Sequence, residues 1–134
     1  MTRCLVAGVA ILAVSLLTPA LAHHSYAMFD SQKTVTIEGT IIQFQWTSPH
    51  SWIDVAVTTK AGVVQKWGIE TGPPSHLSRR GWKKTSLVPG EKVVVELHPL
   101  RAEGKIGGAL VSVKKLSTGQ VLLDNGPQER HDAQ

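Results

Sequence analysis

The stretch that most constrains this chain is Val35 to Val57, VTIEGTIIQFQWTSPHSWIDVAV. Its apolar residues alternate as Val35, Ile37 and Ile41, with Gly39 in the same phase, and then slip by one to Ile42, Phe44 and Trp46. A period of two predicts a strand, and a single change of phase predicts a β-bulge or bend rather than a loop. Gly39 stands just before the slip, where a missing Cβ lets a strand bend. After a turn over Thr47-Ser48-Pro49-His50-Ser51, the residues Ile53, Val55 and Val57 alternate with Trp52, Asp54 and Ala56. That is a second strand with one buried and one wetter face. A long, bent first strand is the kind that closes a small barrel.

The rest of the chain supplies the other staves. Lys60-Ala61-Gly62 predicts a turn, and Val63 to Glu70 a third strand with Val63, Trp67 and Ile69 in one phase. Thr71-Gly72-Pro73-Pro74 breaks it, and Ser75 is a candidate N-cap for a short helix running through His76-Leu77-Ser78-Arg79-Arg80 to Gly81-Trp82, with Gly81 near its end. Arg79, Arg80, Lys83 and Lys84 gather positive charge at that helix end. The macrodipole favours cations there, so a solvated basic face accounts for them, and docking of an acidic partner is the sharper alternative. Pro89-Gly90 turns the chain into a fourth strand, Lys92 to His98, with Val93, Val95 and Leu97 inward. A loop with three glycines, Leu100 to Gly108, reads as mobile; it leads to a fifth strand over Ala109 to Leu116, with Val111 and Val113 in phase. A short piece follows from Gln120 to Leu123, and residues 124–134 read as a disordered tail. Three strands, a short helix and two strands is the order of a mainly all-β, five-stranded OB-fold-like barrel, with its helix between strands three and four. The barrel domain is expected over residues 35–123.

The N-terminus reads as an address. Arg3 precedes the apolar run Leu5 to Leu17, and Ala20-Leu21-Ala22 is a small-x-small cleavage site, so residues 1–22 are expected to be a secretory signal peptide. The run is short for a bilayer span, and no later run is longer. Cleavage would leave 112 residues, formal charge +3 and no cysteine, since Cys4 is the single one. Such a chain suits one periplasmic or secreted domain held by core burial alone. A balance of +3 is too mild to imply a nucleic-acid partner.

Processing after Ala22 would expose His23-His24 at the head of an arm over residues 23–34. An N-terminal histidine offers an amine and two ring nitrogens, the chemistry of a histidine brace for Cu(II). Cleavage one residue earlier would put a histidine third, another copper-chelating arrangement; an exposed arm without a role is the alternative. OB-type barrels meet ligands between the loop joining strands one and two and the loop joining strands four and five. His50 lies on the first and His98 opens the second, so His23, His24, His50 and His98 form a candidate metal set. Glu70 is a weaker candidate at the end of strand three. Histidines that cap turns by bonding backbone groups are the competing account.

Trp67 is expected in the core and Trp82 as a plug on the helix. Trp46 and Trp52, flanking the turn, suit either core or an aromatic rim. With Arg101 they form a candidate surface for a protein or oligosaccharide partner. No catalytic residues emerge: Ser48, Ser51 and Ser75 lie near histidines, but triads are defined by geometry, and Asp54 and Glu70 form no evident acid–base pair.

At these residues the chain resembles a family of small secreted bacterial proteins, domain of unknown function 6152. The resemblance runs through His23-His24-Ser25, Gly39-Thr40, Phe44-Gln45-Trp46-Thr47, Pro49-His50-Ser51-Trp52-Ile53, Arg80-Gly81-Trp82, Leu87-Val88-Pro89-Gly90, His98-Pro99-Leu100-Arg101 and Gly107-Gly108. Ser48 stands where the family usually has Asn. The resemblance implies one exported domain and assigns no catalytic residue.

Overall fold

The computed structural model describes residues 26–124. The expected signal peptide, His23 and His24, and tail residues 125–134 lie outside them. After a 3-10 turn at Tyr26–Met28 come β1 (Val35–Gln45), β2 (Ser51–Thr58), β3 (Val64–Thr71), α1 (Pro74–Arg79), β4 (Lys92–Pro99), β5 (Gly108–Lys115) and β6 (Val121–Leu123). The neighbour order is β3-β2-β1-β4-β5-β6, and a parallel pairing of β3 with β5 closes β1 to β5 into a mixed barrel. This is the OB topology, with α1 between strands three and four. The short piece after Gln120 adds to the edge of β5 as a sixth strand.

The length of β1 is what makes closure possible. Its first half, Val35 to Thr40, pairs with β4, and its second half, Thr40 to Gln45, pairs with β2. One strand serves two sides of the barrel only if it bends between them. The bend is built as expected from Gly39 and a bulge: Ile41 faces Val55 but Gln43 faces Asp54. Ile42 is the extra residue, and here the expectation needs correcting. It does not start the new inward phase but is turned out and exposed, because a bulge leaves one residue unpaired. Phe44 then packs against the core. At Gly39 a Cβ would strike the Ala56 carbonyl and lie 2.6 Å from Val55 Cγ1, so only glycine fits the inside of the bend.

A second bulge corrects the fifth strand. Glu96 pairs with Ser112 and Leu97 with Leu110, so Val111 is the spare residue and is only half-buried. The inward residues of β5 are Leu110 and Val113. They join Ile37, Ile41, Ile53, Val55, Ile69, Leu77, Trp82, Leu87, Val93, Val95, Leu97 and Leu122 in one continuous core cluster. Each such side chain contributes about 1.5–3 kcal/mol on burial, which is what a domain without disulfides has to stand on.

Helix α1 begins one residue before the expected cap. Pro73 is the N-cap position and makes no side-chain cap bond, while Pro74 occupies the first turn, where its preset φ fits and its missing N–H costs nothing. Ser75 is therefore inside the helix. The far end is a Schellman motif: Trp82 N–H donates to Leu77 O (3.1 Å), and Gly81 N–H to Ser78 O (3.1 Å), with Gly81 at φ +84°. Leu77 and Trp82 are both buried, so the cap and the plug are one device.

The described part of the arm packs on the barrel. Phe29 is buried and bridges Leu100, Asp30 N–H donates to Pro99 O (2.8 Å), and Arg101 N–H donates to Met28 O (2.8 Å). The β4–β5 loop, expected to be mobile, is thus clasped at its start.

Candidate functional site

The polar residues of interest gather where the β1–β2 loop meets the corner between β3 and α1. In the loop, Thr47 Oγ1 donates to His50 O (2.8 Å) and Ser51 Oγ donates to Thr47 O (3.2 Å), drawing the turn closed; the Ser48–Pro49 peptide is cis. Ser51 then starts β2 opposite Thr71, and Trp52 pairs with Glu70. Because Ile53 and Ile69 point into the core, Trp52 and Glu70 point outward. Glu70 is nevertheless only 7 % exposed. Its Oε1 lies 3.1 Å from His50 Nδ1.

A second histidine–carboxylate pair stands on the other side of the corner. Asp124 is 2 % exposed, although sequence reading put it in the tail. Its N–H donates to Val111 O (3.0 Å), continuing β6 by one residue, and Trp82 Nε1 donates to the carbonyl of the preceding Leu123 (3.0 Å). Asp124 Oδ2 accepts from Gly72 N–H (2.7 Å), and Oδ1 lies 3.2 Å from His76 Nε2. A Cβ on Gly72 would come within 2.8 Å of the His76 ring, so glycine lets that ring lie on the backbone. Gly72 O in turn accepts from Ser51 N–H (3.2 Å), tying the two halves of the corner together.

The histidine–carboxylate contacts are close without being aligned. His50 Nδ1, His76 Nε2 and Asp124 Oδ1 are buried atoms that make no directional hydrogen bond. Ring nitrogen and carboxylate oxygen are in contact, without the alignment of a hydrogen bond. Tyr26, at the start of the described arm, feels the same region. Burial first, then the Asp124 and Glu70 carboxylates, raise its phenol above the ordinary 10.0.

The expected site residues separate. His50 belongs to this cluster. His98 sits in the same sheet row, through Glu70↔Ala109 and Ala109↔His98, but its Nδ1 bonds Lys33 O (2.8 Å). It thus caps backbone as the competing account held. Trp46 is partly buried, edge-on against Phe44 (5.7 Å), whereas Trp52 is 37 % exposed. Trp67 is partly buried against the core and Trp82 fully so. Arg101 is committed to the arm: Nε donates to Ala27 O (3.2 Å) and a terminal nitrogen lies 3.7 Å from Asp30. Partial desolvation would raise the Asp30 carboxyl. The Lys33 hydrogen bond, the Gln32 N–H and the Arg101 and Lys33 charges outweigh it and hold the carboxyl below its usual range.

Sequence reading missed His76, Asp124 and Tyr26. One signal was available for Asp124, which stands in phase with the core residue Leu122 at the end of a short strand. Nothing local marked His76, whose partner is 48 residues away.

Among the described residues no group of three or more His, Cys, Asp or Glu side chains is placed to hold a metal ion, and no helix is long and apolar enough to cross a membrane. An open hollow of about 320 Å³, lined by Glu38, Gly39, Thr40, Ala56, Thr58 and Lys92, lies toward the opposite end of β2 from His50.

A family model, described as a family of unknown function (DUF6152), matches residues 10–110. The chain belongs to that family. His50, Glu70, His76 and His98 fall inside the matched span and Asp124 outside it. No curated protein and no solved structure matches the chain.

Proposed function

We propose that this domain is an exported, non-catalytic accessory module that binds a soft-to-borderline transition metal, Cu(II) foremost. The site is the barrel end where the β1–β2 loop, the β3–α1 corner and the N-terminal arm meet. The observation that carries the reading is the two histidine–carboxylate contacts there, His50 Nδ1 to Glu70 Oε1 at 3.1 Å and His76 Nε2 to Asp124 Oδ1 at 3.2 Å, the kind of contact by which carboxylates orient metal-binding imidazoles. The arm supports it as well. Its described start, Tyr26, lies in the field of Glu70 and Asp124. His24 and His23 precede Tyr26 by two and three residues, a tether of roughly 7–11 Å at full extension. Export rests on the leader-like pattern of residues 1–22.

The test is calorimetric titration of Cu(II) and Zn(II) into processed protein whose first residue is verified as His23. One-to-one copper binding that weakens in His50→Ala is expected. Absence of binding, or binding indifferent to His50→Ala, would remove the reading.

A second reading has its own observation: Trp52 is exposed on the outer face, directly across from Glu70. A flat, rigid side chain there suits a protein or oligosaccharide partner. Loss of partner binding in Trp52→Ala, with copper titration unchanged, would favour it.

A further inference from the structure

We propose that the α1–β4 connection is a membrane-docking surface, which holds this domain against an anionic lipid bilayer through Arg79, Arg80, Lys83 and Lys84. This goes beyond the metal reading and does not depend on it. Residues 71–90 contain these four cations and no Asp or Glu. The whole sequence has 14 Lys and Arg against 10 Asp and Glu, so outside this stretch the two counts are equal. The entire formal charge of +4 therefore sits on one connection. Elsewhere on the barrel Lys33, Lys66, Arg101 and Lys115 each face a carboxylate, at 2.9–3.7 Å. Among the described residues none of the four cations of the connection is in an ion pair.

The fold holds them outward and together. Trp82 and Leu87 are buried and pin the connection at two points. The cations flank the first pin, two before it and two after, and the Schellman reversal at Gly81 sets the backbone between them. Residues 78–81 and 83–85 are all exposed, as is Val88. The helix macrodipole accounts for Arg79 and Arg80 at most, since its effect ends with the last turn. Lys83 and Lys84 lie past the reversal and gain nothing from it.

The chemistry favours lipid headgroups over a protein or a nucleic acid. The centre of a protein interface is depleted in charge and enriched in aromatic anchors. Single-stranded nucleic acid is gripped by basic grooves interleaved with stacking aromatics. Here the only Trp, Tyr or Phe of residues 71–90, Trp82, is turned into the core and donates to Leu123 O (3.0 Å). The surface thus offers charge without a stacking centre. An anionic bilayer asks for no more than that: its phosphates take Arg as a bidentate fork and Lys as a point charge. Clusters of roughly four to eight Lys and Arg bind anionic lipid surfaces. Val88 adds an exposed aliphatic side chain on the same connection, suited to the headgroup boundary.

The experiment is co-sedimentation of the processed protein with vesicles of phosphatidylcholine, alone or with about 30 % phosphatidylglycerol, at low salt. The variants are Arg79→Gln with Arg80→Gln, Lys83→Gln with Lys84→Gln, and, as a control of equal charge, Lys60→Gln with Lys105→Gln, which lie outside the connection. All six side chains are exposed, and thermal melts establish that each variant folds. The parent should partition onto the anionic vesicles and not onto the neutral ones, and should lose that binding as added salt shortens the Debye length. Each pair from the connection should weaken partitioning roughly 30-fold, about 5-fold per cation, while the control pair changes it by less than about 3-fold. Equal loss in the control pair would mean that net charge alone drives binding, and the inference falls. It falls equally if the parent ignores anionic vesicles or binds neutral ones as well. Binding of soluble poly-glutamate without binding of anionic vesicles would overturn it in favour of an acidic protein partner.

Discussion

Asp124 was expected to be tail, and its replacement is the sharpest test of the fold around the site. It is 2 % exposed, and its Oδ2 accepts the Gly72 N–H at 2.7 Å. Asp124→Ala leaves that buried donor without a partner, a loss of about 1–3 kcal/mol. The His76 ring loses its nearest charge but is 29 % exposed, so water replaces the contact at little further loss. Removing a desolvated carboxylate works the other way and keeps the net toward the lower half of that range. Asp124→Asn retains an acceptor for Gly72 and exchanges a charged hydrogen bond for a neutral one, a difference of about 1 kcal/mol or less. For a domain of this size each kcal/mol moves the melting temperature by roughly 4–8 °C. Metal-free thermal unfolding at neutral pH, followed by tryptophan fluorescence, should therefore give the order parent, Asn, Ala, with Ala lowered by roughly 5–15 °C. An alanine variant that melts with the parent would mean that the chain past Leu123 does not hold the corner, and the reasoning would fail.

Two other expectations follow from single residues. Tyr26 is the only tyrosine, so near-ultraviolet phenolate absorbance reports it alone; its midpoint should lie above 10.0 and move down in Asp124→Asn, and a parent midpoint at or below 10.0 would refute the placement of the arm. Because its folded value is raised, its contribution to stability is complete below pH 10.0 and disappears as pH rises through the folded value. At Gly108, a Cβ would collide with the His98 carbonyl and sit 2.6 Å from Leu97 Cδ1, so Gly108→Ala should destabilise by about 1–3 kcal/mol or more. Gly68→Ala, whose nearest neighbour is Asp54 Oδ1 at 3.9 Å, should unfold in urea close to the parent; equal midpoints for the two variants would contradict the geometry of the β3–β5 closure.

The barrel was legible because its signals are local. Alternation over Val35 to Val57, the Pro-Gly turn before Lys92 and the Gly-Pro-Pro break before α1 each lie within a few residues, and together they order the strands. Errors fell where a bulge resets the phase. Ile42 and Val111 look inward by counting in twos, but each is the unpaired residue of a two-against-one register. At Ser75 two local signals competed, and the proline preset won over the serine cap. Of the candidate site, only His50 and its loop were legible. Glu70 was noticed for its position, but its pairing depends on the β2–β3 register bringing it beside the loop. His76 and Asp124 meet only after the last strand has docked, through bonds spanning 41 and 52 residues, and no window of sequence contains such a contact.

That dependence on closure bears on why the corner is polar at all. The core cluster and the Schellman-capped helix already hold the barrel, and neither needs a buried acid. A buried carboxylate beside a histidine is a weak source of stability, since an apolar pair of similar volume is often as good or better. Removing one partner is still destabilising, because the other is left stranded, so the loss expected in Asp124→Ala is no sign that the pair was selected for strength. Two such pairs, with contacts that are close but not aligned, are poor cement. On the proposed metal reading the corner has a use that cohesion does not supply, since carboxylates facing histidine rings orient them as ligands.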